Sequence, residues 1–317
     1  MTEWQLMAVP INFALGDWRI ARVRLRLLVR RSWTPDAAPA PPTGDSLAPP
    51  SHPLPKGCWG FLVRSMPLVS KQPRLRRVGD YYCYIREQFN RCYIDLSTTF
   101  EEYEAKFSGK SRSTMRRKIK KLAEENGGKV VWRKFTRPEE LDEFYSLAAP
   151  ISRQSYQHKL FDAGLPDDEN FRQHGRELAA KDQVRAYLVM HKGQPSAYLY
   201  CPIHEGTLVY QYLGYLPDAA TYSVGSILQW FALKDLFEEG RFRLFDFTEG
   251  ESDHKRYFAT HSEYCGTVFF IKRSTFSAAI IHGQIWIDDA STAVGNWLER
   301  RGIKAKVKRL IRFGRGE

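Results

Sequence analysis

The stretch from residue 184 to residue 247 places the strongest constraint on how this chain can fold. Three runs in it, VRAYLVM (184–190), SAYLYCPI (196–203) and TLVYQYLGYL (207–216), are separated by turns that contain glycine, which predicts a three-stranded antiparallel meander. The apolar stripe of SILQWFALKDLFEE (226–239) then predicts a helix that ends at Gly240, and RFRLFDF (241–247) predicts another strand. We therefore predict an α/β (α+β) fold, in which a mixed, mostly antiparallel sheet is flanked by helices.

The positive charge of the chain predicts a negatively charged partner. The formal net charge is +12 over 317 residues, and a phosphorylated cofactor, a nucleic acid, an acidic carrier protein and an anionic membrane face all remain open as that partner. The 43% share of hydrophobic residues argues against general disorder. Because no run of about 18 apolar residues occurs and the first residues lack a signal-peptide pattern, we expect a cytoplasmic protein that could contact the inner membrane peripherally.

The cysteines indicate neither a disulfide framework nor a metal site. The five residues are scattered through the sequence, at Cys58, Cys83, Cys92, Cys201 and Cys265. They form no CxxC pair and have no spacing with histidine that is typical of metal ligands. An odd, scattered set is typical of a reducing compartment. We therefore expect free thiols and no structural metal.

Changes in composition divide the chain into three predicted regions. Residues 1–95 form a strand-rich half with a Pro-rich loop at 34–56, and basic and apolar residues alternate from Arg22 to Leu27, which predicts a strand with one wet face. Residues 96–290 hold most of the predicted helices and strands. Residues 291–317 form a basic tail that could touch anionic lipid or nucleic acid.

The segment ATYSVGS (220–226) joins the last strand of the meander to the helix that follows. The N–H groups at the start of a helix are unpaired and carry partial positive charge, so they bind phosphate well. Gly225 would let a phosphate approach the backbone closely. The alternative is a serine cap beside a turn glycine, because one glycine falls short of a GxGxxG or P-loop pattern.

The segment KSRSTMRRKIKK (110–121) has seven Lys or Arg among its twelve residues. Its apolar residues recur at the spacing of an amphipathic helix. Lys110 and Arg112 at the start of this helix, together with Arg116, could bind a phosphate or a carboxylate. A solvated surface helix without a ligand remains the alternative.

The segment FDFTEGESDHKRYF (245–258) is dense in ionisable residues. Asp246 ends a predicted strand between two phenylalanines, so burial could raise the pKa of its carboxyl group or a basic partner could hold it ionised. Lys255 is the expected partner, and Glu249 and His254 are candidate general bases. The alternative is a purely structural Asp–Lys pair at the end of the strand.

Residues 96–273 resemble the GNAT-fold acyltransferases, specifically the branch of CelD-type proteins of cellulose and exopolysaccharide biosynthesis and the related FemAB-like transferases. Four stretches carry the resemblance in the family's order: FSGKSRSTMRRKIKKL (107–122), PSAYLYCPIHEGTLVYQYLGYLPDAATYSVGSIL (195–228), the helix that ends at Gly240, and FDFTEGESDHKRYF (245–258). Two positions depart from that branch, which often has Ser-Pro-Gly where this chain has Ser223-Val-Gly225, and a tyrosine where it has His254. The resemblance implies a GNAT-like domain with a degenerate GNAT-like half in the N-terminal region.

The resemblance also implies acyl transfer from acetyl-CoA or another acyl-CoA to an amine or hydroxyl group of a sugar or of a cell-envelope or exopolysaccharide precursor. The acyl-CoA would lie in a gap between two strands, with its pyrophosphate at the start of the helix. The residues implied for cofactor binding are Tyr212, Gly214, Tyr215, Leu216, Tyr222, Ser223, Gly225 and Ser226. The resemblance matches Asp246 to the family's strand-end acid and Lys255 to its lysine. Together with Glu249 and His254 they are the candidate catalytic residues, and Lys110, Arg112 and Arg116 are the candidates for substrate binding.

Two other functions remain open from the sequence. An acyl-carrier protein or an aminoacyl-tRNA could deliver the group, as in FemAB-like transferases, and the charge of +12 suits either acidic partner. Alternatively, the chain could be a non-catalytic protein that binds an anionic ligand on a degenerate GNAT fold.

Overall fold

The structure, a computed structural model, describes residues 4–15, 18–31, 47–155 and 164–300. The chain divides into a first unit, Met1–Phe89 with Tyr264–Glu317, and a second unit, Asn90–Glu263. Residues 34–46 of the predicted Pro-rich loop and 301–317 of the predicted basic tail lie outside the described residues. The predicted domain boundaries at residues 95 and 290 stay predictions.

The described chain begins with five strands and then combines helices and strands. The strands are β1 (Gln5–Leu15), β2 (Trp18–Arg31), β3 (Gly60–Pro67), β4 (Leu75–Val78), β5 (Tyr81–Asp95), β6 (Trp132–Phe135), β7 (Val184–His191), β8 (Gln194–His204), β9 (Thr207–Val209), β10 (Tyr212–Tyr215), β11 (Leu244–Asp246) and β12 (His261–Lys272). The helices are α1 (Phe100–Ala105), α2 (Gly109–Glu125), α3 (Pro138–Gln154), α4 (Glu169–Ala180), α5 (Val224–Glu239), α6 (Asp253–Phe258) and α7 (Thr275–Arg300), with a 3₁₀ helix at Pro217–Tyr222.

The first unit is a sheet on which one long helix packs. β1 pairs antiparallel with β2, β2 pairs parallel with β3, and β3 pairs antiparallel with β12. The predicted alternation along β2 is confirmed, since Leu25 and Leu27 are buried whereas Arg24 and Arg26 are exposed. Ile280 of α7 belongs to the same apolar cluster as these leucines, so α7 covers the apolar face of the sheet.

The second unit is a mixed, mostly antiparallel sheet with helices on both faces, as predicted. Its strands follow the order β5, β11, β9, β8, β7 and β6, and β10 also pairs with β8. The pair of β9 and β11 is parallel, whereas the other pairs are antiparallel. Apolar residues of α1, α2 and α5 pack on one face around Leu199, and those of α3 and α4 pack on the other around Tyr200.

The helix α5 is buried on most of its circumference. Ten of its sixteen residues are buried, and a helix that is apolar on all sides belongs in a core. Gly240 follows with a φ of 65°, the left-handed conformation that commonly ends a helix, so the predicted stop is confirmed. Burial of α5 fixes the position of its first turn against the sheet.

The predicted strand 207–216 is two strands in the structure. β9 has a strand neighbour on each side, β8 and β11, whereas β10 pairs with β8 alone among the described strands. The predicted strand 241–247 is also shorter, since β11 contains only Leu244–Asp246. Because β11 ends early, the second edge of β10 lacks a strand partner in this part of the sheet.

Candidate active site

The sheet of the second unit opens where β11 ends. The backbone N–H of Tyr210 still donates to the carbonyl oxygen of Asp246 at 2.9 Å. Two residues further on, Thr248 adopts a left-handed conformation with a φ of 64°, while β10 continues along β8 as far as Tyr215. Two strands that are neighbours at Asp246 therefore separate beyond it.

A cavity of about 410 Å³ lies beside this opening. Its walls come from β10 and from the first residues of α5 and α6. The lining residues are Tyr210, Leu213, Tyr215, Ala220, Ser223, Val224, Gly225, Ser226, Ser252, His254 and Lys255. The volume lies in the usual range for small-molecule sites.

The first turn of α5 faces the cavity with N–H groups that the helix itself leaves unpaired. At α1, α2, α4 and α6, a Ser, Thr or Asp side chain caps the helix by accepting one such N–H bond. At α5 the cap residue is Ser223, which has a φ of 56° and makes no side-chain bond of this kind. The partial positive charge of this helix start is therefore available to an anion.

Gly225 keeps the start of α5 close to β10. An added Cβ would lie 3.2 Å from Tyr215 Cδ1 and 3.5 Å from Leu213 Cδ2. The first distance is shorter than ordinary van der Waals contact. A larger side chain at this position would therefore have to displace β10 or extend into the cavity.

His254 lines the cavity and is held by a buried glutamine. Its Nε2 lies 2.6 Å from Oε1 of Gln229, which is fully buried on α5. Because an amide oxygen only accepts, Nε2 carries the proton and Nδ1 keeps a lone pair. Burial, reinforced by the charge of Lys255, lowers the pKa of His254 to about 4. The ring is therefore neutral at physiological pH, with Nδ1 unprotonated.

Tyr210 contributes a phenol to the same cavity. Its ring packs against Phe245, Phe247 and His254, with centroid distances of 6.0, 5.4 and 6.4 Å. Burial raises the pKa of Tyr210 far above its usual value. The hydroxyl group therefore stays protonated at neutral pH and can donate a hydrogen bond or a proton.

The comparisons with known proteins agree with this geometry. The model of the acetyltransferase (GNAT) domain family matches residues 109–256, which lie inside the second unit. Residues 109–256 carry a GNAT fold. The match supports acyl transfer as the reaction class of this GNAT domain, while the CelD-type branch stays a prediction. No curated protein sequence matches the chain.

Solved structures resemble the chain at low sequence identity. FemX is 10% identical, with a TM-score of 0.50, and the match covers 89% of this chain and 91% of that chain. The C-terminal domain (DUF2156) of an Agrobacterium fabrum protein described as a lysylphosphatidylglycerol synthetase is 13% identical over 75% and 71%, with a TM-score of 0.45. A GCN5-related N-acetyltransferase from Kribbella flavida is 13% identical over 62% of each chain, with a TM-score of 0.33. At 10% identity, the FemX match supports the fold alone.

Four of the eight residues predicted to bind the cofactor line the cavity of the GNAT domain: Tyr215, Ser223, Gly225 and Ser226. Tyr212 and Gly214 face the opposite side of the sheet. The Tyr212 ring packs against Tyr200 at a centroid distance of 6.3 Å, and a Cβ on Gly214 would lie 2.5 Å from the ring of Tyr198. These two residues therefore support the packing behind β10.

Leu216 and Tyr222 also lie outside the lining of the cavity. The N–H of Leu216 donates to the carbonyl oxygen of Ser196 at 2.9 Å, which extends the pairing of β10 with β8. The Tyr222 ring lies 4.4 Å from that of His191, and Lys121 Nζ lies 4.6 Å from the Tyr222 ring centroid. Tyr222 thus packs between α2 and the end of β7.

Asp246 forms a buried ion pair with Arg91, a residue that no sequence pattern indicated. The two side chains are 3% and 0% exposed. Arg91 Nε donates to Asp246 Oδ1 at 3.1 Å, and Arg91 Nη2 bonds to Oδ2. Thr248 N–H also donates to Oδ1, at 2.9 Å. The carboxylate is therefore engaged by protein groups and does not line the cavity.

Lys255 reaches the wall of the cavity but does not bond to Asp246 as expected. Its Nζ donates to the carbonyl oxygens of Glu249 and Gly250, at 2.6 and 3.2 Å. Burial lowers the pKa of Lys255, and the nearby Asp246 charge opposes that effect. Lys255 thus holds the loop before α6, while the Glu249 side chain lies outside the cavity lining.

The three residues predicted to bind substrate lie on the first two turns of α2, outside the cavity lining. Lys110 is exposed and Arg112 is half-buried. Arg116 has a side chain that is 73% exposed, with Nη2 3.8 Å from Glu104 Oε1. Their roles stay predictions.

The described residues hold no group of three or more His, Cys, Asp or Glu that could bind a metal ion. All five cysteines are free and buried in the structure. No helix within the described ranges is long and apolar enough to cross a membrane.

Proposed function

We propose that the second unit is an acyltransferase that binds an acyl-CoA, most simply acetyl-CoA, between β10 and the start of α5. The observation that carries this proposal is the separation of β10 from β11 beside a cavity of about 410 Å³. A pantetheine chain is extended and contains two amide groups. It can therefore bond to the free edge of β10 much as an added strand would.

The pyrophosphate of the cofactor would lie at the first turn of α5. Helix N-termini favour anions because their N–H groups and the helix dipole point at the ligand. The cap Ser223 leaves these N–H groups unused, and Ser226 adds a hydroxyl group to the wall. Gly225 keeps the approach to this turn free of a side chain.

Transfer would proceed by direct attack of the acceptor amine or hydroxyl on the thioester carbon. A C–N or C–O bond forms, the C–S bond breaks, the acceptor proton passes to a base, and the leaving thiolate takes a proton from an acid. We assign the base to His254, whose Nδ1 keeps a lone pair while Nε2–H donates to Gln229. Tyr210 is the candidate acid because its hydroxyl is protonated at neutral pH.

The acceptor class rests on the sequence resemblance to CelD-type proteins. We propose an amine or hydroxyl group of a sugar or of a cell-envelope or exopolysaccharide precursor, acylated in the cytoplasm. The five free, buried cysteines support a reducing compartment. A panel of amino sugars, sugar nucleotides and simple amines, assayed by thiol release from acetyl-CoA, would identify the acceptor.

Calorimetry with a matched pair of glycine variants tests the cofactor site. Gly225→Leu should abolish acetyl-CoA binding, because the side chain would occupy the space between α5 and β10. Gly109→Leu is the control, since Gly109 also lies in the first turn of a helix but a Cβ there meets no atom within 4 Å. S-acetyl-pantetheine, which lacks the pyrophosphate, should bind the wild-type protein much more weakly. Unchanged acetyl-CoA binding by Gly225→Leu would reject the site.

A different donor is the alternative, and the exposed basic residues of α2 favour it. Arg116 and Lys120 have side chains that are 73% and 79% exposed, and they could bind an acidic carrier protein or the phosphates of an aminoacyl-tRNA. Calorimetry with acyl-carrier protein or tRNA in place of acetyl-CoA separates the two donors. A protein that binds neither donor and consumes no thioester would instead be a non-catalytic ligand binder.

A further inference from the structure

The strand β2 of the first unit carries three arginines, Arg22, Arg24 and Arg26, on one face of the sheet, and all three are exposed. Alternate residues of a strand point to the same face and repeat at about 6.8 Å, twice the rise of about 3.4 Å per residue. The three side chains therefore leave the backbone at evenly spaced points on a nearly straight line. We call these three residues the arginine row.

The opposite face of β2 holds the arginine row in place. Leu25 and Leu27, which alternate with the arginines, are buried, and they belong to the apolar cluster that includes Ile280 of α7. A slip of one residue in the pairing of β2 would expose these leucines and bury the arginines. The position of the arginine row is therefore fixed by the core of the first unit.

No carboxylate balances the positive charge of the arginine row. The strands β1 and β2 contain no Asp or Glu. Within the part of the chain that the structure describes, none of the three arginines forms an ion pair. Like charges at this spacing repel each other, and a protein surface without a charged partner usually mixes both signs. The unbalanced row therefore indicates a negatively charged partner.

The neighbours of the arginine row on β1 leave it open to a partner. The row pairs across the two strands with Asn12, Pro10 and Ala8, in that order. Asn12 Oδ1 accepts a hydrogen bond from Arg22 Nε at 3.1 Å, which fixes the orientation of that guanidinium group. None of the three neighbours is large and apolar. A narrow, charged chain can therefore lie along the row.

The geometry of the arginine row favours a linear polyanion. Successive phosphates of an extended nucleic-acid strand are separated by a distance similar to the spacing of the row, whereas the carboxylates of an acidic protein have no such repeat. A guanidinium group binds phosphate through two parallel hydrogen bonds. A bilayer also presents phosphates, but stable peripheral attachment combines basic residues with a substantial apolar surface. The neighbours of the row on β1 supply no such surface.

We propose that the arginine row binds the phosphodiester backbone of an RNA strand, with one guanidinium group on each successive phosphate. RNA is the nucleic acid that commonly occurs as single strands, and the backbone of a single strand can extend along a row of this kind. Contacts to phosphate position a strand without reading its bases, so we expect no sequence preference. This inference concerns the first unit and depends neither on acyl transfer by the second unit nor on the acyl donor.

Fluorescence anisotropy with the full-length chain and a short fluorescein-labelled oligouridylate tests the proposal. Each phosphate contact to a single strand releases counterions and contributes about −0.7 to the slope of log K against log salt concentration. The triple variant Arg22→Gln/Arg24→Gln/Arg26→Gln should therefore reduce the magnitude of that slope by about 2. The same three contacts correspond to about a hundredfold loss of affinity at about 0.1 M salt.

Two control variants separate the arginine row from general charge and from apolar contact. Lys71→Gln/Arg77→Gln/Lys272→Gln removes the same charge from exposed residues of the first unit outside the row, and it should change the slope far less. Ile20→Ser removes a side chain that is 63% exposed, two residues before the row, and it should bind oligouridylate as the wild type does. Thermal unfolding confirms that the variants are folded.

Four results would overturn the proposal. The first is a wild-type protein that does not bind oligouridylate, and the second is an arginine-row variant that keeps the wild-type slope. The third is an equal loss in the variant of Lys71, Arg77 and Lys272, which would assign the binding to net charge alone. The fourth is binding to phosphatidylglycerol vesicles that needs both the arginine row and Ile20, without binding to oligouridylate. That result would assign the row to a membrane surface.

Discussion

Removing the charge of Asp246 should strongly destabilise the second unit. Its carboxylate and the guanidinium of Arg91 are 3% and 0% exposed, so Asp246→Asn takes the carboxylate partner away from a buried positive charge. Losing one partner of such a pair costs about 3–5 kcal/mol. For a unit of this size, the loss corresponds to a fall in Tm of about 6–20 °C. Urea and thermal unfolding followed by circular dichroism measure it.

A double variant separates the charge effect from the loss of contacts. Arg91→Met/Asp246→Leu removes both charges, and it should recover most of the stability because the desolvation cost disappears with the ion pair. Recovery should fall short by about 1 kcal/mol, since Thr248 N–H loses the acceptor that now lies at 2.9 Å.

One outcome would contradict a structural role for the Arg91–Asp246 ion pair. If Asp246→Asn keeps its unfolding midpoint but loses thioester consumption, the carboxylate acts in catalysis and the ion pair contributes little to stability. Glu143→Gln is the control, because it breaks an Arg–Glu pair whose side chains are 45% and 49% exposed. Solvent screens such a pair, so its loss should change the midpoint far less.

Three further predictions follow from single side chains. Gln229→Glu places a carboxylate against the His254 ring and should raise the His254 pKa above about 4; NMR titration of the ring measures this, and an unchanged titration would contradict the contact. Burial opposes ionisation of Glu239, but hydrogen bonds to basic side chains outweigh it and lower the Glu239 pKa to about 2. The ionised carboxylate therefore stabilises the fold above its unfolded pKa, and this stabilisation is lost as the pH falls through about 4.5 towards 2. Glu239→Gln should flatten the acid limb of a stability–pH curve. Gly214→Ala should cost about 1–3 kcal/mol, because its Cβ would meet the Tyr198 ring at 2.5 Å; full stability in urea unfolding would show that the ring moves freely.

The local elements of the fold could be predicted because their signals are local. The turns that contain glycine separate β7, β8 and β9 as expected, and Gly240 ends α5 in the left-handed conformation that only glycine adopts without strain. The division of residues 207–216 into two strands could not be predicted in the same way. It depends on where β11 ends, and β11 comes some thirty residues later in the sequence.

Two polar residues near the site could not be identified from the sequence pattern around them. Arg91 lies in a strand whose neighbours are mixed in character, and its partner Asp246 is 155 residues away. Gln229 stands in the apolar run ILQWFAL, where its full burial could have been suspected from its neighbours. Its partner, His254, comes from a different helix. Pairs of this kind depend on tertiary contacts, which periodicity does not report.

The break between β9 and β10, where Tyr210 lies, also determines which tyrosines and glycines face the cavity. A continuous strand would place Tyr210 and Tyr212 on the same face of the sheet. In the structure, Tyr210 packs with Phe247 on the side of α5, whereas Tyr212 packs with Tyr200 on the opposite side. The interruption therefore changes the alternation, and β10 then presents Leu213 and Tyr215 to the cavity.

The two glycines of the predicted cofactor motif consequently serve different purposes. Gly214 faces away from the cavity and makes room for the Tyr198 ring, so its replacement should lower stability. Gly225 faces Tyr215 across the start of α5, so its replacement should block the proposed ligand. If Gly214→Ala lost acetyl-CoA binding without losing stability, the face assigned to β10 would be wrong. Comparing the two variants in one binding and one unfolding experiment therefore tests the geometry of the opening itself.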